Sequence, residues 1–264
     1  KMSFQSVNQD WEGLAKQDAM WAILTNPDKA GNKWQSNDFF KSGLTEIQRV
    51  FSFLNENKIR CIDNNKALDF GCGVGRLTHA LATHFDVVDG IDVSATMVEK
   101  AEKLKAQFNN NTYFFVNQNT TTAYTDNTFS CIYTSIVLQH IPQPQQGQYI
   151  AEFTRILKPG GLLIFQIPTK DIRNLSWFQK IKIKLQLRKR LAQLGIGTYH
   201  HMQMNPLPTT QIIEILNKGN CQILQHVYTN HTDIDFGGNL KFIDGRASKD
   251  YESSFFVVQK KIQN

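Results

Sequence analysis

The stretch Ala67-Leu68-Asp69-Phe70-Gly71-Cys72-Gly73-Val74-Gly75-Arg76 constrains the fold of this 264-residue chain more than any other. A strand-like apolar run enters three glycines at alternate positions, and residues 77–84 beyond them have helical spacing. Glycine lets a backbone turn sharply and approach a ligand closely. At a strand-to-helix turn, the amides of the helix N-terminus point outward at the strand's carboxyl end, where ligands settle. The texture then alternates. Residues 87–91, 113–116, 129–135 and 162–167 read as strands, and 95–108 and 145–157 as helices. The second of these helices is stopped by Lys158-Pro159-Gly160-Gly161. Residues 208–216 give a last helix, and 222–228 and 254–259 two last strands, the final one antiparallel. Strands alternating with helices at this spacing predict an α/β fold: a doubly wound, mostly parallel sheet with helices on both faces.

Two regions stand outside that alternation. Residues 1–60 read as helical, with Trp11, Leu14, Met20, Trp21, Ile23 and Leu24 in one stripe and Leu44, Ile47, Val50, Phe51 and Leu54 in another. They predict a helical cap, or lid, over a main domain at 61–264. Residues 171–207 read as an insertion forming part of a substrate pocket. Its Ile181-Lys182-Ile183-Lys184-Leu185 run fits a period of two. Trp177, Ile181 and Leu185 fit a helix, and a mainly helical insertion is the expectation.

Charge is concentrated in this insertion. The formal net charge is +6, and seven bases (Arg173, Lys180, Lys182, Lys184, Arg188, Lys189 and Arg190) lie between Ile172 and Ile213 without an acid among them. Such a run is either a solvated face or a landing strip for an anionic ligand. A nucleic-acid reader would interleave stacking aromatics, and here only Trp177 and Phe178 precede the bases. Nucleic acid is therefore disfavoured. No apolar run reaches the roughly 18–20 residues that cross a bilayer. Cys61, Cys72, Cys131 and Cys221 are too dispersed for a disulfide framework or a zinc ribbon, and the expectation is a reducing, cytoplasmic setting. Without HExxH or a His/Asp constellation, no metal is expected.

The glycine spacing excludes two nucleotide classes. A GxGxxG dinucleotide fingerprint begun at Gly71 would need glycine where Arg76 stands; begun at Gly73, it would need glycine at Thr78. No Gly-Lys-Ser/Thr follows for a P-loop. The turn therefore suits a nucleoside without a diphosphate. Asp92 closes the second strand, where a carboxylate can accept from both hydroxyls of a ribose; capping the next helix, alone or with Ser94, is its structural alternative. Asp69 could hold the amides of the loop.

These residues resemble the class I S-adenosylmethionine-dependent methyltransferases, whose first motif runs acidic-x-Gly-x-Gly-x-Gly after strand one. The resemblance continues through Asp92, Val116-Asn117-Gln118-Asn119-Thr120, Asp126 to Tyr133, and Arg155 to Gly161, in order and spacing over about residues 65–168. It implies a seven-stranded Rossmann-like sheet and S-adenosylmethionine as cofactor, with S-adenosylhomocysteine as product. It implies cofactor contacts from Asp69, Gly71, Gly73, Gly75, Asp92, Val93, Met97, Asn119, Thr120 and Val137. Asn119 departs from the family's usual acid; an amide can still accept from the adenine amino group and donate to a ring nitrogen. Cys72 in the loop is a small filler.

Methyl transfer to oxygen needs a proton removed from the acceptor, and an imidazole suits that task near neutral pH. His140, after the fourth strand, is the candidate base, with packing or capping as its structural alternative. Trp34, Phe39, Tyr199, His200 and His201 are candidates for the acceptor pocket; Trp11, Trp21 and Phe40 could join a lid or simply form core. The favoured expectation is a methyltransferase acting on a small molecule at a hydroxyl, with an anionic acceptor as the form that the basic run suggests. The competing expectations are an RNA or protein methyltransferase using residues 173–190, or a cofactor-binding subunit without catalysis.

Overall fold

The computed structural model describes residues 4–108, 111–173, 204–233, 236–243 and 250–262. The basic run 180–190, with Tyr199, His200 and His201, lies outside the described residues, so the helical expectation for the insertion is not addressed. Among the described residues no helix is long and apolar enough to cross a membrane.

Two helices precede the sheet: α1 (Phe4–Ile23) and α2 (Ser36–Glu56). The alternation follows as β1 (Lys66–Phe70), α3 (Arg76–Leu81), β2 (Val87–Asp92), α4 (Ala95–Lys105), β3 (Thr112–Val116), β4 (Phe129–Thr134), α5 (Gln143–Ile156) and β5 (Leu157–Asp171). The last elements are α6 (Thr209–Lys218), β6 (Cys221–Thr229), β7 (Phe242–Ile243) and β8 (Tyr251–Lys260). The sheet order is β3-β2-β1-β4-β5-β8-β6-β7. β3, β2, β1, β4 and β5 run parallel, and β8 is antiparallel to both β5 and β6. The sheet has eight strands rather than seven because the two-residue β7 pairs at the β6 edge. The Lys158–Gly161 stop ends α5 at Ile156 as read. It then forms an irregularity inside β5, whose pairing with β4 jumps from Leu157 to Leu162.

Apolar layers on both faces explain why the central strands β1, β2, β4, β5 and β8 are almost wholly buried. On one face, Phe39, Ile47, Val50 and Leu54 of α2 pack with Leu77, Ala80 and Leu81 of α3 against Ala67, Val88, Tyr133 and Phe255. On the other, Tyr149, Ile150 and Phe153 of α5 and Ile212 and Leu216 of α6 cover Leu68, Ile132, Leu163 and Phe256. Strands covered on both sides lose the alternating pattern and read as continuous apolar runs. Gly43 allows α2 to reach the loop after β1: a Cβ there would stand 2.4 Å from the Arg76 carbonyl oxygen.

α1 breaks at Asp18, whose backbone is extended (φ −158°, ψ 83°). Its carboxylate accepts from Trp21 N, beginning the second half-helix, and from Asn32 N at 2.6 Å. The first half is held down by Glu12, which accepts from Ser94 Oγ at 2.6 Å and from the Thr96 hydroxyl. Lys100 Nζ adds a bond to the Ala15 carbonyl. The Ser94 and Thr96 hydrogen bonds keep the Glu12 carboxyl down at about 2. α1 thus lies across the carboxyl ends of β1 and β2 as an N-terminal cover.

Candidate functional site

The sheet's carboxyl ends, both halves of α1 and the loop after β6 line a cavity of about 760 Å³. That lies within the roughly 300–1,000 Å³ range of small-molecule and cofactor sites.

One end is built by the β1–α3 turn. Gly71, Gly73 and Gly75 have φ of +76°, +53° and +91°. L-residues pay roughly 1–2 kcal/mol for left-handed backbone. At Gly71 the space is also taken, since a Cβ would meet Val137 Cγ2 at 2.4 Å. Gly71 and Gly73 line the cavity; Gly75 instead starts α3 and packs beside Phe114. The Asp92 carboxylate accepts from Gly73 N and from Ser94 N, both at 2.9 Å, tying β2 to the loop. Ser94 itself caps α4 by accepting from Met97 N. Ser94 thus supplies the cap, while each oxygen of Asp92 retains a lone pair and the residue lines the cavity. Burial pushes the Asp92 carboxyl above its ordinary value.

Asp69 also lines the cavity, but its Oδ2 accepts from Thr78 Oγ1 at 2.7 Å rather than from loop amides. Burial raises its carboxyl to about 7, against the opposing pull of Thr78 and Arg76. Burial likewise pushes the Cys72 thiol well up, so it is no ready thiolate.

Val93, Met97 and Val137 join the wall, as does Asn117. Asn119 and Thr120 do not: the Asn119 side chain is exposed, while its carbonyl accepts from Asn117 Nδ2 and Tyr149 OH. The chain turns immediately after β3, so the polar side chain presented to the cavity is the one two residues earlier.

The other end carries His140, which lies in a 3₁₀ turn after β4 and faces Trp11 edge-on, ring centroids 5.3 Å apart. Trp34 and Phe39, expected beside it, stand away from the cavity. Phe39 is fully buried against Trp34 and Phe40, and Trp34 Nε1 donates to the Leu24 carbonyl. Of the four tryptophans, Trp11 alone lines the cavity among the described residues.

Three groups escaped the sequence reading, while Arg173 belongs to the basic run already noted there. The loop after β6 supplies His231, Asp233 and Phe236, and the start of β8 supplies Tyr251. Arg173 stacks over Tyr251 at 4.7 Å and pairs with Asp171. Gln139 lines the wall beside His140. Beneath them lies a buried charge cluster. Arg76 Nη2 meets Glu46 Oε2 at 2.7 Å, Tyr133 OH donates to Glu46 Oε1 at 3.1 Å, and His231 Nε2 stands 3.7 Å from that oxygen. Burial would raise Glu46, but Arg76 and then His231 outweigh it and hold the carboxyl at about 2. A signal existed: Glu46 lies on the apolar stripe of α2 that contains Phe39, Gly43 and Val50, where a carboxylate demands a partner.

Comparison with known proteins agrees with this geometry. Residues 67–161 match the family described as a methyltransferase domain. Phosphoethanolamine N-methyltransferase 1 of Arabidopsis thaliana is 30% identical over 156 residues, covering 54% of this chain and 31% of that protein. Ubiquinone biosynthesis O-methyltransferase of Coxiella burnetii is 30% identical over 106 residues, covering 40% and 44%. The matches thus span less than half the length of these relatives. Among solved structures, magnesium protoporphyrin IX methyltransferase from Synechocystis with bound SAH superposes with a TM-score of 0.62 at 15% identity, covering 98% of this chain and 100% of that one. An S-adenosylmethionine-dependent methyltransferase from Clostridium acetobutylicum gives 0.56 at 14% identity, covering 91% and 98%. These two likenesses concern the fold. Residues 67–161, with their glycine motif, thus match a methyltransferase domain, and the sheet around them has the fold of S-adenosylmethionine-dependent methyltransferases.

Proposed function

We propose that this protein transfers the methyl group of S-adenosylmethionine to a hydroxyl of a small molecule. The observation that carries the reading is continuity. One cavity is lined both by the glycine turn with Asp92 and by His140, His231 and Tyr251. A nucleoside and a small acceptor fit together in such a volume.

The residues suit the cofactor on structural grounds. Gly71 and Gly73 line the cavity with bare backbone, and Asp92 has acceptor capacity left for ribose hydroxyls. S-adenosylmethionine supplies a methyl group on a cationic sulfur. Asp69 and Asp92 supply negative charge in a partly dehydrated site, which favours a cation. α1 excludes water, and the walls align the acceptor oxygen; such positioning contributes up to about 7–11 kcal/mol. With the cofactor held there, His140 would take the proton of the acceptor hydroxyl, so that the oxygen's electron pair is free for the methyl carbon.

The relatives named above act on phosphoethanolamine nitrogen and in ubiquinone biosynthesis at oxygen. His140 at the wall favours oxygen here, since a neutral amine needs no base before attack. A phosphorylated or carboxylated acceptor fits the sign of the basic 173–190 segment.

The test is transfer of label from methyl-labelled donor to a panel of small hydroxylated and aminated compounds. The expected result is turnover on a hydroxyl acceptor, slowed far more by His140→Ala than donor affinity is weakened. Donor binding without transfer to any compound would refute the catalytic reading, and an unchanged rate would remove His140 from the chemistry.

A further inference from the structure

Behind His140 runs a line of buried amides whose direction is set by the backbone. Ile136, just past β4, has φ +54°, an unfavourable conformation for a β-branched residue that requires firm support. Its N–H donates to Gln166 Oε1 at 3.1 Å. A backbone N–H can only donate, so the other end of the Gln166 amide is its NH₂. That group donates to Ser253 Oγ at 3.0 Å and to Gln139 Oε1 at 3.3 Å. Gln139 therefore presents its own NH₂ to His140, with Nε2 to Nε2 at 3.2 Å. An amide NH₂ has no acceptor capacity, so the ring nitrogen must be the acceptor. Gln166 is fully buried, Ser253 is 1% exposed and Gln139 5%, so water cannot readily substitute for any member. Reversing Gln166 would set its NH₂ against the Ile136 N–H, and reversing Gln139 alone would set its NH₂ against that of Gln166.

We propose that Gln139 and Gln166 form a directional relay that fixes His140 as its Nδ1–H tautomer and makes Nε2 its basic nitrogen. Gln166 and Gln139 are positioning residues. They decide which ring nitrogen carries the lone pair, and both Gln139 and His140 line the cavity where the acceptor hydroxyl would compete for it. A carboxylate–histidine pair fixes a tautomer by accepting from a ring N–H; here the ring accepts at Nε2, which leaves the proton on Nδ1. The catalytic consequence rests on the methyl-transfer reading above, but the tautomer itself does not.

The experiment is nitrogen-15 NMR of histidine-labelled protein near neutral pH, with the His140 signals assigned by their absence in His140→Asn. The wild type should show a protonated Nδ1 and an unprotonated Nε2. Gln139→Glu, close in shape but only accepting, should move the proton to Nε2. Gln166→Met, which releases Gln139, should give a mixture. In both variants kcat should fall at least tenfold, with the KM for the donor unchanged. A wild-type ring protonated at Nε2, or a folded Gln166→Met protein retaining the pure Nδ1–H form, overturns the relay. If Gln166→Met does not fold, the wild-type and Gln139→Glu spectra still decide. Should no acceptor be found, the spectra test the relay regardless; should transfer run while the spectra disagree, only the relay falls.

Discussion

Replacing Glu46 by Gln tests how the cover, the glycine turn and the far strands are joined. In the native protein the Glu46 carboxylate is fully buried with Arg76 Nη2 2.7 Å away, and it receives Tyr133 OH. The amide keeps the shape but leaves the Arg76 guanidinium, only 1% exposed, without its counter-charge. Removing one partner of a buried pair costs about 3–5 kcal/mol. Linkage gives a second route. A carboxyl held near 2 instead of 4.5 contributes about 3 kcal/mol of stability. Because the folded value is depressed, that contribution is complete above about pH 4.5 and is lost as pH falls toward 2. The two routes agree. For a chain of this size a loss of 3–4 kcal/mol lowers Tm by about 6–15 °C. Thermal and urea unfolding at pH 7 measure it, and the deficit should shrink as pH approaches 2. The double replacement Glu46→Met with Arg76→Met should recover most of the loss, since a buried pair replaced by apolar groups of similar volume is often neutral. A Glu46→Gln loss under 1 kcal/mol, or a double variant as unstable as the sum of its singles, would refute the pairing.

Asp92→Ala should weaken donor affinity at least tenfold, about 1.4 kcal/mol, by calorimetry, because a buried ribose loses its charged acceptor. Gly71→Ala should cost about 2–5 kcal/mol by urea unfolding, combining left-handed strain with the clash against Val137. Adding Val137→Ala should recover the clash but leave the strain. Asp69, raised to about 7, should release a proton when a cation binds beside it. S-adenosylmethionine affinity should therefore rise from pH 6 to 8, while the uncharged sulfur of S-adenosylhomocysteine gives a flatter profile. Calorimetry in buffers of different ionisation heat counts the proton.

The α/β alternation, the nucleoside-type turn and the strand-tip carboxylate were legible in the amino-acid order because each is local. Strand, turn and helix propensities act over a few residues, and Gly71, Gly73 and Asp92 lie within 22 positions of one another. The ends of elements were less legible. α4 stops at Lys105 rather than 108, and β5 absorbs a predicted turn, since helix ends and bulges respond to packing as well as propensity. Asn119 and Asn117 differ by one turn of loop geometry that no spacing rule contains.

What tertiary structure alone decided is the other wall. Glu46 and Tyr133 stand 87 residues apart, Gln166 and Ser253 87 apart, and His231 reaches Glu46 from the loop after β6. Apart from Glu46, whose place on an apolar stripe calls for a partner, each is an unremarkable polar residue in its own segment. They acquire partners when β8 inserts antiparallel between β5 and β6 and α2 closes on the glycine turn. Local propensities encode the cofactor cradle; hydrogen bonds and charge pairs between remote segments, enforced by the cost of burying an unpaired polar group, shape the chamber beside it.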